Sequence, residues 1–541
     1  MKKRMGVRTD SLKGLLQSTG GKIVGGVSKV TLSATLSAAL VTALSACAVG
    51  PDFKIPDAPG KAAGYSYLPA TSAGVTIAAQ TQADGMKKTA AAVGVAQTLV
   101  SGQDIPAQWW LVFQSEQLDQ LIRSALAQSP SLASAQAALL QAQENYNAQA
   151  GTSLYPTVTG NLGAGRERAS AVSTGIPGGS TFNLYNASVN VSYTLDVFGA
   201  NQRGLEALRA SVDYQRFQVE ATYLSLTANL VTTAIKQASL RAQLQATEAI
   251  LQALTTQMDV IERQFAVGAI PKSSVLSQRT LVAQTRASLP GLRKAVELNR
   301  HQLAVYAGQL PSDAELPEFT LDSLKIPTEL PVSIPSALVR QRPDIRANEA
   351  LLHAASASVG VAVANQYPQF SLTGSYGSAS TQANQLGASA MGLWSLAAGV
   401  TQPIFNAGAL SAKKRAAVAA YDQVAAQYQA TVLTAFQNVA DSLRALEFDA
   451  TTLKQQVEVE AVARESLELT EHQFAIGAVS SLALLDAKRV YQTARISLIV
   501  AQEARYADTA ALFQAMGGGW WNRPALSDIS TKYGAAIDAK K

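Results

Sequence analysis

The chain has 541 residues, 48% of them hydrophobic and only 15% charged, with a single cysteine. That composition excludes a disulfide scaffold, a cysteine-rich metal module and a charged disordered chain. The formal charge of +6 lies wholly in residues 1–46, where Lys2, Lys3, Arg4, Arg8, Lys13, Lys22 and Lys29 face Asp10 alone. Beyond them basic and acidic residues are equal in number, so charge gives no case for a nucleic-acid partner.

Residues 30–46 form an apolar run behind that basic segment and end in Leu44-Ser45-Ala46-Cys47. The pattern resembles a bacterial lipobox and implies a signal peptide over 1–46, cleaved before Cys47, with N-palmitoyl and S-diacylglycerol groups on Cys47. The competing reading is a transmembrane anchor with an ordinary thiol, for which the run is barely long enough. Ala48 stands where Asp would imply inner-membrane retention, so delivery to the outer membrane is the default. No later stretch approaches 18 uninterrupted apolar residues. A membrane crossing by the rest of the chain therefore needs β-strands in a closed barrel.

Residues 47–108 read as a lipidated N-terminal extension, with 60–105 a flexible wrap or an insertion of no fixed structure. After it the chain is written twice, over 109–328 and 329–518, with a tail at 519–541. Ser129-Pro130 answers to Arg342-Pro343, Tyr155-Pro156 to Tyr367-Pro368, the segment from Val197 to that from Ile404, and QFAVGAI from Gln264 to QFAIGAV from Gln473. The offsets are 213, 212, 207 and 209 residues. So long a period means two large similar halves rather than a solenoid.

Each half opens with a helix-forming segment, 131–150 or 344–366, followed by two alternating segments around a Gly/Ser-rich loop. Tyr185, Ala187, Val189, Val191, Tyr193 and Leu195 alternate with polar residues, as do Phe370, Leu372, Tyr376 and Trp394, Leu396, Ala398, Val400 with small or polar ones. Period two gives each strand one apolar and one polar face. A soluble sandwich and a transmembrane barrel both fit that pattern. Strand length favours the barrel, and four strands cannot close one, so several chains must complete it together.

Long helices follow. Leu205–Val267 and Ala409–Ile476 contain no Gly or Pro, which predicts rods of about 100 Å at 1.5 Å per residue. Leu244, Leu251, Leu254, Met258, Ile261 and Phe265 fit a 3-4 spacing with Thr247 filling one slot, as do Leu289, Leu292, Val296, Leu303 and Tyr306 with Asn299 filling another, the pattern of coiled-coil packing. The rods reverse at Gly268 and Gly477 and return through 272–309 and 478–516, the first return interrupted by a bend at Pro290-Gly291.

Seven ordered blocks resemble the TolC-like outer-membrane efflux factors, within them the NodT/OprM-like lipoprotein branch. They are CAVGPDFKIP from Cys47, WWLVFQSEQLDQLI from Trp109, YTLDVFGANQRG from Tyr193, LPVSIPSALVRQRPDIRANEALLHAA from Leu330, YPQFSLTGSYG from Tyr367, LWSLAAGVTQPIFNAG from Leu393 and QFAIGAVSSLALLDAKR from Gln473. The resemblance implies a mainly α protein with transmembrane β: a homotrimer with a 12-stranded β-barrel continuous with a 12-helix α-barrel periplasmic tunnel. The implied role is the outer-membrane channel of a tripartite efflux system. It passively carries drugs or toxic solutes from a periplasmic adaptor (membrane fusion) protein and an inner-membrane pump, of RND or related type, to the exterior.

By the same resemblance Leu482, Asp486 and Arg489 form the periplasmic gate, with Ser277 standing opposite Asp486 in the first half. Gly268, Ala269 and Ser273, with Gly477, Ala478 and Ser480, form the adaptor-contacting tips. The plainer readings are a solvated helix residue and a coiled-coil position for the gate, and tight turns with helix caps for the tips. A type I protein secretion conduit and a pore-free structural trimeric coiled-coil lipoprotein are the competing functions.

No catalytic constellation stands out. His301, His353 and His472 lack ligand-spaced partners, no G-x-x-x-x-G-K-[ST] occurs, and Gly163-Ala164-Gly165 and Gly517-Gly518-Gly519 lie in no βαβ unit. The sequence therefore calls for no enzyme, no metal and no cofactor beyond the covalent lipid. Whether Trp520 and Trp521 pack on the body or at an interface stays open.

Overall fold

The computed structural model describes residues 48–56, 76–77, 96–170, 172, 177, 179–332, 335–388 and 391–523. Cys47, the signal segment and residues 524–541 lie outside that set. The strands are β1 (Thr76–Ile77), β2 (Gln97–Ser101), β3 (Thr157–Ala169), β4 (Ser180–Leu195), β5 (Glu329–Val332), β6 (Gln369–Ser380) and β7 (Gly392–Thr401). The helices are α1 (Glu116–Gln128), α2 (Pro130–Leu154), α3 (Ala200–Ala266), α4 (Lys272–Tyr306), α5 (Pro335–Gln341), α6 (Pro343–Ala364), α7 (Ala409–Ala475) and α8 (Ser481–Ala515).

β3, β4, β6 and β7 form one antiparallel sheet in that order. Its ladders join like faces: Val158 lies opposite Val191, Leu162 opposite Ala187, Val189 opposite Tyr376, Leu195 opposite Phe370, Tyr376 opposite Trp394 and Phe370 opposite Val400. One surface is thereby apolar across all four strands, while the other carries Asn190, Ser188, Ser371, Ser375 and Ser395, with Ser375 and Ser395 hydroxyls 2.8 Å apart. Among the described residues nothing covers the apolar surface: Leu162, Tyr376, Trp394 and Leu396 are each more than two-thirds exposed. A sandwich would bury that face against a second sheet, so the single-layer sheet rules the sandwich out.

Both 67-residue helices, α3 and α7, start on a left-handed glycine, Gly199 or Gly408, each with φ +79°. With φ > 0 nearly free of cost only for glycine, the chain turns there from strand into helix. At 1.5 Å per residue each helix runs about 100 Å. These caps correct the alignment of the two repeats. Gly199 and Gly408 are 209 residues apart, and the pairing of Val158 with Val191 against that of Phe370 with Val400 places the β4–β7 offset at 209 as well. The offset of 207 read from the Phe198 and Phe405 motifs is therefore two residues out. Phe198 stacks on Tyr367 at 4.7 Å, whereas Phe405 is 89% exposed.

The helical hairpins pack as the spacing predicts. Leu254, Met258 and Ile261 of α3 are buried against Val275 and Val282 of α4, and Leu289 and Leu303 are buried further along. Phe265, at the tip end of the pattern, is 41% exposed instead. α4 continues as one helix through Pro290, where the ring removes one amide donor from a helix held along its length by α3.

The main core forms a belt around the middle of the rods. Trp109, Trp110 and Phe113 in a 3-10 turn, Leu118 and Ile122 of α1, Leu230 and Ile235 of α3, Phe319, and Phe513 of α8 are all almost inaccessible. Trp109 stacks on Phe513 at 5.6 Å. A second, three-stranded sheet in the order β1-β2-β5 joins this belt, β2 running parallel to β5. Its strands β1 and β2 fall within 60–105, so part of the segment read as flexible or unstructured is ordered, β2 by pairing with Glu329–Val332 and β1 by pairing with β2. The side chain of Gln97 ties it down, donating to the Pro327 carbonyl and the Thr509 hydroxyl. The open question of Trp520 and Trp521 is settled as well. Trp520 Nε1 donates to the Gln341 carbonyl at 2.6 Å and Trp521 Nε1 to Asp104 at 2.9 Å, so residues 519–523 are part of the belt.

Beside the belt, α7 and α8 enclose a charged cluster that the sequence reading missed. Arg505 is 1% exposed, and its three guanidinium nitrogens have no hydrogen-bond partner among the described residues. Burial, then the hydrogen bond and charge of Asp449, push the Asp508 carboxyl up to about 8. Burial lowers the Arg505 pKa, while Asp508 and Asp449 oppose that shift. A carboxyl whose folded-state pKa lies above its unfolded value stabilises the fold below the unfolded pKa and loses that contribution as pH rises through the folded one. The thermal stability of the detergent-solubilised protein is therefore expected to fall as pH rises from about 4 to about 8. Asp508→Asn, which cannot ionise, flattens that slope.

Candidate functional site

Two regions of the chain are built to meet other matter: the hairpin tips with the first turns of α8, and the junction of sheet and helices. At the first tip, Gly268 (φ +72°) donates to the Phe265 carbonyl and Ala269 to that of Gln264 at 2.9 Å. At the second, Gly477 (φ +76°) donates to Phe474 and Ala478 to Gln473 at 2.8 Å. Both are left-handed glycine closures that satisfy the last helix carbonyls. Just before each glycine stands an exposed aliphatic residue missed in the sequence, Val267 (79%) and Ile476 (74%). The signal was available in QFAVGAI and QFAIGAV: an apolar residue in a turn, repeated.

The two serines assigned to the tips are not equivalent. Ser480 is the N-cap of α8, its hydroxyl accepting from Ala483 N at 3.3 Å. Its counterpart in the first repeat is Pro271, which caps α4 without a side-chain bond. Ser273 lies inside α4, in register with Leu482, and so is not a cap. The contact that joins the tips is a different pair: Ser481 donates to Ser274 at 2.8 Å.

Leu482, Asp486 and Arg489 form one stripe on α8. Leu482 is 67% exposed, whereas Leu484 and Leu485 beside it are buried. A coiled-coil core position is thus excluded for Leu482 within the chain. The Arg489 guanidinium donates to Asp486 at 2.9 Å, both side chains more than half exposed. In α4 the same stripe carries Ser273, Ser277 and Thr280, all exposed and uncharged. The acidic and basic groups therefore come from one hairpin only. Above the tips a hollow of about 1120 Å³ opens between the hairpins, lined by Arg241, Glu460, Arg464, Glu468, Lys488 and Arg495 among others. Glu460 holds Arg464 at 3.1 Å and Arg495 at 3.6 Å, and Glu471 holds Lys488 at 3.3 Å.

At the other end, residues 48–56 are seated where β4 becomes α3. Val49 N donates to the Phe198 carbonyl at 3.2 Å, and Ala48 lies so close that a Cβ on Gly199 would meet it at 2.9 Å. Asp52 pairs with the buried Arg203 at 2.5 Å, and Phe53 stacks on His353 at 4.4 Å. Arg203 and His353 both bind Glu206, at 2.7 and 2.8 Å. Burial opposes ionisation of Glu206, but the bonds from Arg203 and His353 prevail and hold its carboxyl below the usual range. His353 is thus a structural residue that draws the N-terminal strap onto both repeats, since Arg203 sits on α3 and His353 on α6. Among the described residues no group of three or more His, Cys, Asp or Glu is placed to hold a metal ion.

Comparison with known proteins agrees with this anatomy. The model of the outer membrane efflux protein family matches residues 121–309 and 334–518, once for each repeat. The pyoverdine export outer membrane protein OpmQ of Pseudomonas aeruginosa is 31% identical over 424 residues, covering 76% of this chain and 87% of its own. The toluene efflux pump outer membrane protein TtgC of Pseudomonas putida is 29% identical over 89% of this chain and 94% of its own. Among solved structures, the outer-membrane channel OprN superposes with a TM-score of 0.76 at 26% identity, over 88% of this chain and all of that one. With both repeats matched and the sheet and paired rods in place, the chain belongs to the outer membrane efflux protein family.

Proposed function

We propose that three copies of this chain close their four-stranded sheets into one twelve-stranded barrel in the outer membrane, with their helices forming a periplasmic tunnel beneath it. The observation that carries the reading is the sheet itself: apolar on one face, polar on the other, with free edges at β3 and β7 and two rods of about 100 Å continuing from it. Strands of 10 to 16 residues are long enough to cross an outer membrane when tilted. In this reading the protein is the passive outer-membrane conduit of a tripartite efflux system. An inner-membrane pump drives drugs or toxic solutes through, and a periplasmic adaptor docks on the tips around Gly268, Ala269, Gly477, Ala478 and Ser480, with Val267 and Ile476 as apolar contacts.

Leu482, Asp486 and Arg489 are the gate of that conduit. Three symmetry-related carboxylates converging on an axis repel one another and attract cations, and the Arg489 beside each Asp486 offsets the repulsion. An exposed pair of this kind contributes at most about 1 kcal/mol to folding. Asp486→Ala and Leu482→Ala are therefore expected to melt close to the unsubstituted protein. In planar bilayers the same variants raise a small single-channel conductance severalfold. Inserted trimers that stay silent in every form would defeat both the gate and the conduit.

The protein is also held by a lipid on Cys47. Ala48 sits at the end of β4, against Gly199 and beside Phe198, which stacks on Tyr367, and aromatic side chains suit a membrane interface. A lipid on the preceding residue would enter the bilayer directly. Cys47→Ala is expected to abolish metabolic labelling with radioactive palmitate. Labelling that survives the substitution would remove Cys47 as the attachment site.

A further inference from the structure

Where the sheet becomes rod, the two repeats carry opposite charge. At the start of α3 the ionised groups are matched within the chain: Asp196 accepts from the amides of Asn201 and Gln202, and Arg203 is shared by Asp52 and Glu206. The offset of 209 set by Gly199 and Gly408 carries these positions onto the second repeat. Phe405 then stands for Asp196, Ala412 for Arg203 and Arg415 for Glu206, while Lys413 and Lys414 replace Gly204 and Leu205. The start of α7 thus holds three consecutive cations, all exposed, and among the described residues none has an ion pair or a side-chain hydrogen bond. Like charges so close repel one another, and the helix dipole opposes them as well. Folding gives no reason to gather them, so their counter-charge comes from outside the chain.

The surroundings name the class of that counter-charge. The cations lie just below the sheet, Arg415 being seven residues past Gly408, about 10 Å along the helix. Between β7 and the cations stand Ile404 and Phe405, 97% and 89% exposed. Beside them opens a cavity of about 530 Å³, lined by Lys414 and Arg415 with Gln366, Ser411 and Asp422. The N-terminal strap fixes which face this is. Glu206, the counterpart of Arg415, sits in the clasp of Arg203 and His353 that holds residues 48–56. Arg415 therefore occupies the corresponding surface of the second repeat, which has no strap of its own among the described residues.

We propose that Lys413, Lys414 and Arg415 bind the headgroup phosphate of an anionic phospholipid of the phosphatidylglycerol class, in the leaflet that meets the rods. The inference rests on the barrel reading above, which puts the end of β7 at the membrane surface. Arg415 offers phosphate oxygens a planar fork of donors, and Lys414 adds a point charge at the same cavity. Lys413 flanks them and adds to the local field. Ile404 and Phe405, on the sheet side of the cations, suit the boundary between headgroups and acyl chains. Asp422, two turns below Arg415, is one carboxylate against three cations, so the balance of charge favours an anionic headgroup over a zwitterionic one. A lipid held there fastens the second repeat to the bilayer at the level where the strap fastens the first.

The test is native mass spectrometry of the full-length, detergent-solubilised protein incubated separately with phosphatidylglycerol and phosphatidylethanolamine. The protein is expected to retain phosphatidylglycerol about fivefold over phosphatidylethanolamine, and Lys413→Gln with Lys414→Gln and Arg415→Gln to lower that retention on the order of tenfold. Arg286→Gln with Lys294→Gln and Arg300→Gln, exposed cations of α4, remove the same charge and leave retention unchanged. Equal retention of the two lipids, or a junction variant that keeps its phosphatidylglycerol, overturns the site. So does a junction variant that no longer assembles, because the cations then serve the contact between copies. Release of the lipid by millimolar inorganic phosphate marks a free-phosphate site and overturns the proposal too. Carbonate extraction of cell membranes separates the two readings. Protein that stays embedded but shows no lipid preference defeats the lipid site alone, whereas protein that is extracted defeats the barrel with it.

Discussion

Backbone amides and carbonyls in hydrocarbon have no water to bind, so a sheet in a membrane must close on itself. In this chain the sheet stops at four strands, and the hydrogen-bonding edges of β3 and β7 remain open. A barrel needs more strands than that to enclose even its own side chains, so closure has to come from other copies. Threefold closure puts the same edges together three times, consistent with the rule that most homo-oligomers adopt closed point-group symmetry. The apolar outer face, the left-handed glycines that turn strand into rod, and the length of those rods all make sense only once that closure is supplied.

Duplication then limits what the tunnel can do. A ring of six identical hairpins would open and close as one. Here the two hairpins of each chain share a turn geometry but differ in side chains. The N-cap Ser480 answers to Pro271, and the stripe of Leu482, Asp486 and Arg489 answers to Ser273, Ser277 and Thr280. One hairpin carries charge on its exposed stripe and the other carries hydroxyls, so the two present different chemistry at the same register. The belt is asymmetric as well: the Trp109–Phe513 stack and the 519–523 clasp belong to the two ends of the chain and have no repeat.

Much of this was legible in the sequence because it rests on periodicity. Alternation fixed the faces of β4, β6 and β7, glycine-free runs fixed the rods, and the QFAVGAI and QFAIGAV repeat fixed the turns to the residue. What escaped was set by long-range pairing. β2 is ordered by β5, more than 220 residues away, and nothing local in its sequence announces that. The two-residue error in aligning Phe198 with Phe405 arose because side-chain similarity was followed where backbone register decides. The two tip serines were grouped by residue type, whereas register separates them: Ser480 caps α8 and Ser273 lies inside the first turn of α4. The buried Arg505 cluster was invisible because three charged residues on two helices give no periodic signal.

The distribution of packing along the rods also says where the molecule yields. The belt is filled by large aromatic side chains, each nearly inaccessible, and truncating one such residue typically costs 3 to 5 kcal/mol, of order. Near the tips, by contrast, α3 and α4 are joined by a small cluster of Leu254, Met258, Ile261, Val275 and Val282, and the two tips by the single Ser481–Ser274 bond. Hydrogen bonds of that kind contribute about 1 kcal/mol each, and the Asp486–Arg489 pair lies within one helix and ties nothing across. Local opening draws on the least packed part of a structure. The tips are therefore the part of the rods that separates at least cost, while the belt and the sheet stay whole.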